Sequence, residues 1–168
     1  TLPSLITGIN NSGDVIGRAP VGGSPSAQVN GFIWNQNDGF SDLGWLTPWA
    51  INDQGNITGN NPYGQAFIIS DSSLQQPPTL VGSLVGARGI NASGQLAGVW
   101  AQDGASPPQA IVRRNADDIT NLSQLYGERG YAFDINDSGS VVGSLGNQGY
   151  IWNQATGLTY IDIQKTES

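Results

Sequence analysis

Proton-transfer chemistry in this sequence would have to sit on a few acids: the adjacent Asp117 and Asp118, then Glu128, Asp134 and Asp137. Paired carboxylates serve glycoside hydrolysis, one as the acid and the other as base or nucleophile. Composition closes most other routes. The 168 residues contain no His and no Cys. Imidazole bases, Ser-His-Asp triads, thiolate nucleophiles and sites built on His or Cys ligands are therefore excluded. No spacing marks two of these acids as a working pair, and each reads as a solvated loop or turn residue. The expectation is a protein that is not an enzyme and carries no cofactor.

Ligand binding without catalysis leaves three groups of residues. Calcium needs several oxygen ligands at tight spacing, and Asp53 and Asp137 are its first candidates. The turns that hold them read NNSGD, NDQGN, NASGQ and NDSGS, in which no carboxylate recurs at a fixed place. No metal site is expected. Asn10, Asn52, Asn91 and Asn136 would present a ring of amide oxygens, or each would cap its own turn, which an Asn does readily. Capping is the expectation. Of the five tryptophans, Trp34 and Trp152 recur in a repeated segment and are expected in the core. Trp45, Trp49 and Trp100 have no counterparts. They are the candidate contacts for a sugar ring or a protein partner, with gap-filling between units as the alternative.

The elements that would position these residues are repeated. Ile9 to Gly17 (INNSGDVIG) recurs as Ile51 to Gly59, Ile90 to Gly98 and Ile135 to Gly143, with starts 42, 39 and 45 residues apart. The common pattern is I-N-x-x-G-x-[VIL]-x-G. A second element follows each copy, at Phe32-Ile33-Trp34, Phe67-Ile68-Ile69, Ile111-Val112 and Tyr150-Ile151-Trp152. A third follows at Leu43, Leu80, Leu122 and Ile161. Each unit reads as four short strands. The first ends at Ile-Asn, and a tight turn follows with Gly13, Gly55, Gly94 or Gly139 at positive φ. The second is the alternating G-x-[VIL]-x-G run, the third is the aromatic and β-branched segment, and the fourth follows a turn such as Asn37-Asp38-Gly39. The repeat glycines Gly17, Gly59, Gly98 and Gly143 suit close packing or a bulge. No helix-length apolar stripe is present, and 116–125 is its nearest approach.

Four-stranded units of this length match propeller blades. The expected fold is all-β: four antiparallel meanders of about 42 residues each, closed into a small four-bladed β-propeller, with an open β-repeat stack as the alternative. One repeat domain spans 1–168, with units at 6–46, 47–84, 85–126 and 127–163. The segment Leu2-Pro3-Ser4-Leu5 resembles the fourth-strand element and lies outside these units. It is read as a spare terminal strand, able to complete a blade in a neighbouring molecule. The long connections 18–30 and 99–109 are rich in Gly, Ser, Pro, Ala and Gln.

The repeat signature, with its following A-F-[IL]-[WI] element and Leu-containing strand, resembles the HAF-repeat family of predicted extracellular bacterial proteins. The resemblance runs from about Leu5 to Ile163. It implies secretion and a β-repeat fold, and no established activity. The His of the family's His-Ala-Phe is replaced by Gln65 and Gln109, and by Asn30-Gly31 and Gln148-Gly149 in the first and last copies.

Charge and hydropathy narrow the partners. A net charge of −7 with six basic residues opposes nucleic-acid binding, and no apolar run approaches the roughly 20 residues of a membrane span. A start at Thr1 without Met, low Lys and the absence of Cys suit a secreted protein whose signal peptide has been removed. The sequence therefore reads as an extracellular structural or interaction module that assembles with itself through its terminal strands. The alternative is a carbohydrate-binding module using Trp45, Trp49 or Trp100.

Overall fold

The computed structural model describes residues 4–21, 28–70, 79–81, 84–101 and 107–161. They form four antiparallel sheets of four strands, each a meander in sequence order. The first holds β1 (Leu5–Ile9), β2 (Val15–Val21), β3 (Gln28–Asn35) and β4 (Gly39–Asp42); the second holds β5 (Thr47–Ile51), β6 (Ile57–Asn60), β7 (Ala66–Ile69) and β8 (Thr79–Leu80). The third holds β9 (Leu84–Ile90), β10 (Leu96–Trp100), β11 (Gln109–Arg113) and β12 (Ile119–Asn121). A one-turn helix α1 (Leu122–Tyr126) leads to the fourth, with β13 (Gly130–Ile135), β14 (Val141–Leu145), β15 (Gln148–Asn153) and β16 (Gly157–Ile161).

The repeated motif builds the first hairpin of every sheet. In the second sheet, Asn52 Oδ1 accepts from the backbone N–H of Gln54 (3.1 Å) and Asn56 (2.9 Å), closing the turn from inside. Gly55 completes it at φ 78°, a region costly for residues with a Cβ, and Gly13, Gly94 and Gly139 hold the same conformation. The second motif glycine has a different task. The first strand of each sheet carries a bulge, so that Thr7, Trp49, Arg88 and Phe133 are skipped in the pairing register. A Cβ on Gly17, Gly59, Gly98 or Gly143 would overlap the carbonyl oxygen of Leu5, Thr47, Gly86 or Tyr131 in that bulged strand. The glycine is what lets the bulge form.

The sheets pack face to face in series, and the core lies between them. Ile16 and Ile33 of the first sheet meet Ile57, Phe67 and Ile69 of the second, with Ile51 against them. Ile68 and Ala50 of the second adjoin Ala87, Ile90, Leu96 and Ile111 of the third. Ala97 and Val112 of the third meet Ile135, Val141, Tyr150 and Trp152 of the fourth. Full burial of one such side chain is worth about 1.5–3 kcal/mol, so these interfaces carry most of the stability. First-strand contacts run from β1 to β5, β5 to β9 and β9 to β13. Among the described residues there are three inter-sheet cores, and none joins the fourth sheet to the first.

Several details differ from the sequence expectations. Leu122–Leu125 is helix, not strand. Asn121 caps it by accepting from the Gln124 N–H, and Gly127 ends it in the left-handed conformation at φ 75°, so local capping overrides the strand pattern. Leu5 is not spare: it opens β1 opposite Arg18. Ser4 is exposed coil, and Leu2 and Pro3 lie outside the described residues. Trp34 is 42% exposed while Trp152 is 4% exposed. Both point toward the preceding sheet, and among the described residues no sheet lies before the first.

Candidate functional site

The turns of the four hairpins are linked by a ladder of asparagines. Asn10 Nδ2 donates to the Asn52 carbonyl (3.2 Å), Asn52 Nδ2 to that of Asn91 (2.9 Å), and Asn91 Nδ2 to that of Asn136 (3.1 Å). The same side chains cap their own turns, so each Asn ties its hairpin both to itself and to the next sheet. Every rung points in one direction, from sheet n to sheet n+1. Asn136 ends the ladder, exposed, and its Nδ2 has no acceptor among the described residues. A second rung runs beside the first. Asp53 accepts from the Asn11 backbone N–H (2.9 Å) and from Asn11 Nδ2 (2.7 Å), and Asp137 accepts from the Ala92 N–H (2.8 Å).

The ladder gives the stack two unlike ends. Toward the preceding sheet face the motif Ile, the residue three before it, and the final aromatic or apolar residue of the third strand. In the later sheets these are covered: Pro48, Ala87 and Ala132; Ile90 and Ile135; Ile69 and Trp152. In the first sheet Ile6, Ile9, Trp34 and Phe40 are exposed, Ile9 by 68%. Toward the following sheet face Ile16, Thr58 and Ala97, all at 0%, and their fourth-sheet counterpart Val142 is 40% exposed. Ile33 and Val112 are buried, and their counterpart Ile151 is 41% exposed. Each of two opposed faces thus presents a group of exposed apolar side chains whose internal counterparts are covered.

A third arrangement is the column made by the bulges. Because each bulge re-aims the skipped residue, Trp49, Arg88 and Phe133 come into line across three sheets. The Arg88 guanidinium lies 5.7 Å from the Trp49 ring and 5.9 Å from the Phe133 ring, a cation held against two π faces. Trp49 Nε1 donates to Asn60 Oδ1 (2.8 Å), and the Tyr131 ring stacks on Phe133. Arg88 and Phe133 escape a search for unrepeated residues. The signal is their place two residues before the motif Ile.

The three singled-out tryptophans are not brought together. Trp49 is occupied in that column, and Trp45 is 63% exposed in the turn between the first two sheets. Trp100 packs against the second core and lines an open cleft of about 1200 Å3 with Arg113, Asn121, Glu128 and Arg129. The acids are likewise dispersed. Asp118 forms a bidentate pair with Arg114 (2.7 Å for both contacts), whose hydrogen bonds hold its carboxyl below the usual carboxylate range. Asp134 accepts from the Ile135 N–H, and Asp53 and Asp137 are used between turns. Among the described residues no three acidic side chains cluster to hold a metal, and no helix is long and apolar enough to cross a membrane. Comparison with models of known families, with curated proteins and with solved structures gives no significant match.

Proposed function

We propose that this chain is a secreted, non-enzymatic β-repeat module whose task is structural: to be joined to other protein through the two end faces of its stack. In this reading the sheets are an open series of propeller-like blades and not a closed four-bladed ring. One observation carries it. Positions that are buried or half-buried at the internal interfaces are exposed at the two ends, from Ile9 and Trp34 on one side to Val142 and Ile151 on the other. A closed ring of four would bury those residues in a fourth core. The extracellular setting rests on composition and on the resemblance of the repeat. Sedimentation across a wide range of chain concentrations tests the proposal: association that grows with concentration is expected, and a chain that stays monomeric throughout overturns it.

A second reading, a carbohydrate-binding module, is favoured by the cleft beside Trp100. An indole wall next to Arg113, Asn121 and Arg129 offers a stacking face and hydrogen-bond donors, the combination a sugar ring requires. Thermal stabilisation by a glycan, lost in Trp100→Ala, supports that reading; a broad glycan panel without effect removes it.

A further inference from the structure

We infer that the surface covering each end face is the opposite end face of a second copy of this chain, docked head to tail so that its first sheet follows the fourth as the second follows the first. The inference rests on the interaction-module reading and deepens it by naming the partner and the polarity. The internal interfaces state the recipe. Sheet n supplies an Asn Nδ2 and an apolar face; sheet n+1 supplies the Asn carbonyl and the motif Ile, and at the first and third interfaces also a side-chain oxygen, from Asp53 or Asp137, for the next backbone N–H.

Both unused halves of that recipe are present. The carbonyls of Asn52, Asn91 and Asn136 each accept twice, from the N–H of their own turn glycine and from the Nδ2 of the preceding Asn. The Asn10 carbonyl accepts from Gly13 alone among the described residues, so one lone pair is open, and Asn136 Nδ2 is the donor that lacks an acceptor. The second rung matches as well. The Asp137 N–H has no acceptor among the described residues, and Asn11 stands where Asp53 and Asp137 stand in the first and third interfaces, its Oδ1 unused. Ile6, Ile9, Trp34 and Phe40 would then cover Val142, Ile151 and Ile161, as Ile51, Ile57 and Ile69 cover Ile16 and Ile33 inside the molecule.

Two like faces cannot satisfy these rungs, because donors would meet donors or carbonyls would meet carbonyls. The contact is therefore heterologous, and it builds a ring or a fibre according to the rotation per copy. Ile9→Lys blocks one face and Ile151→Lys the other. Both positions are exposed, and Ile6→Lys with Val142→Lys form a second pair should either variant fold poorly. Each variant alone is expected to weaken self-association by more than about tenfold, while an equal mixture of the two forms a one-to-one dimer through the remaining intact faces. Wild-type association that persists in the single variants, or a mixture that stays monomeric, overturns the head-to-tail contact and leaves the module reading standing. A wild-type chain that never associates sinks that reading, and this inference with it.

Discussion

The asparagine ladder makes one substitution unequal at two positions with the same motif. Asn→Asp keeps the turn-capping oxygen and replaces the amide donor with a carboxylate oxygen. At Asn52, which is 5% exposed, that oxygen would face the Asn91 carbonyl across the 2.9 Å now spanned by a hydrogen bond. The chain loses the bond and brings a buried charge against an acceptor, a loss of about 3 kcal/mol. At Asn136 the amide has no acceptor, the site is exposed, and the Ser140 N–H is still received. There the loss is under about 0.5 kcal/mol. Both substitutions place a carboxylate beside an existing Asp, at 53 and 137, so local repulsion largely cancels in the comparison. Thermal unfolding at dilutions where the chain is monomeric reads the difference: a fall of roughly 6–12 °C for Asn52→Asp and almost none for Asn136→Asp. Acidification gives an internal control. The carboxyl introduced at 52 has its folded pKa raised above the unfolded value of about 3.9. The Asn52→Asp deficit therefore shrinks as pH falls through the folded pKa and is gone below the unfolded one, where the protonated group donates again. Equal melting shifts for the two variants would show that the ladder contributes nothing beyond turn capping.

The bulge can be tested with two alanines: Gly98→Ala should lose about 3 kcal/mol, because its Cβ overlaps the Gly86 carbonyl. Gly86→Ala, whose Cβ among the described residues meets only the Asn60 side chain at 3.7 Å and beyond, should stay within about 0.5 kcal/mol, and denaturant midpoints compare them. Burial pushes the Tyr150 phenol up, so the folded chain keeps that proton above the ordinary tyrosine value of about 10. Its contribution is complete below that pH and lost as pH rises beyond it; alkaline absorbance titration should show Tyr150 ionising only with unfolding, and full ionisation of all five tyrosines in a chain still folded by circular dichroism contradicts its burial. A net charge of −7 on every copy opposes docking, so raising salt from about 0.02 M to about 0.5 M should strengthen self-association, as repulsion is screened; weakening would point to a contact built on ion pairs.

The repeat and its strands were legible because the motif carries its own local chemistry. An Asn that caps, a glycine at positive φ and an alternating apolar run specify a hairpin without help from the rest of the chain. The helix at Leu122–Tyr126 was not legible in the same way. Its pattern matched the strand-forming Leu element of other units, and the competition was decided by Asn121, which caps the helix, together with Gly127, which ends it. The role of the repeat glycines was half legible. Close approach could be read from their recurrence, whereas the carbonyl they make room for belongs to a bulge that only the pairing register reveals.

Periodicity identifies equivalent positions, and equivalence is what hides the site. Ile9 and Ile135 occupy the same place in the motif, yet one is 68% exposed and the other 5% exposed. Trp34 and Trp152 divide in the same way, as do Ile16 and Val142. None of these differences is written in the residue or its neighbours; each depends on whether another sheet lies on that side. Residues that depart from a repeat, such as Trp45 and Trp100, draw attention for good reason, since the fold does not require them. In a stack the opposite class matters as much. A residue the repeat does require is left exposed wherever no described sheet covers it, and on the proposed reading those hydrogen bonds and apolar contacts are what a partner would complete.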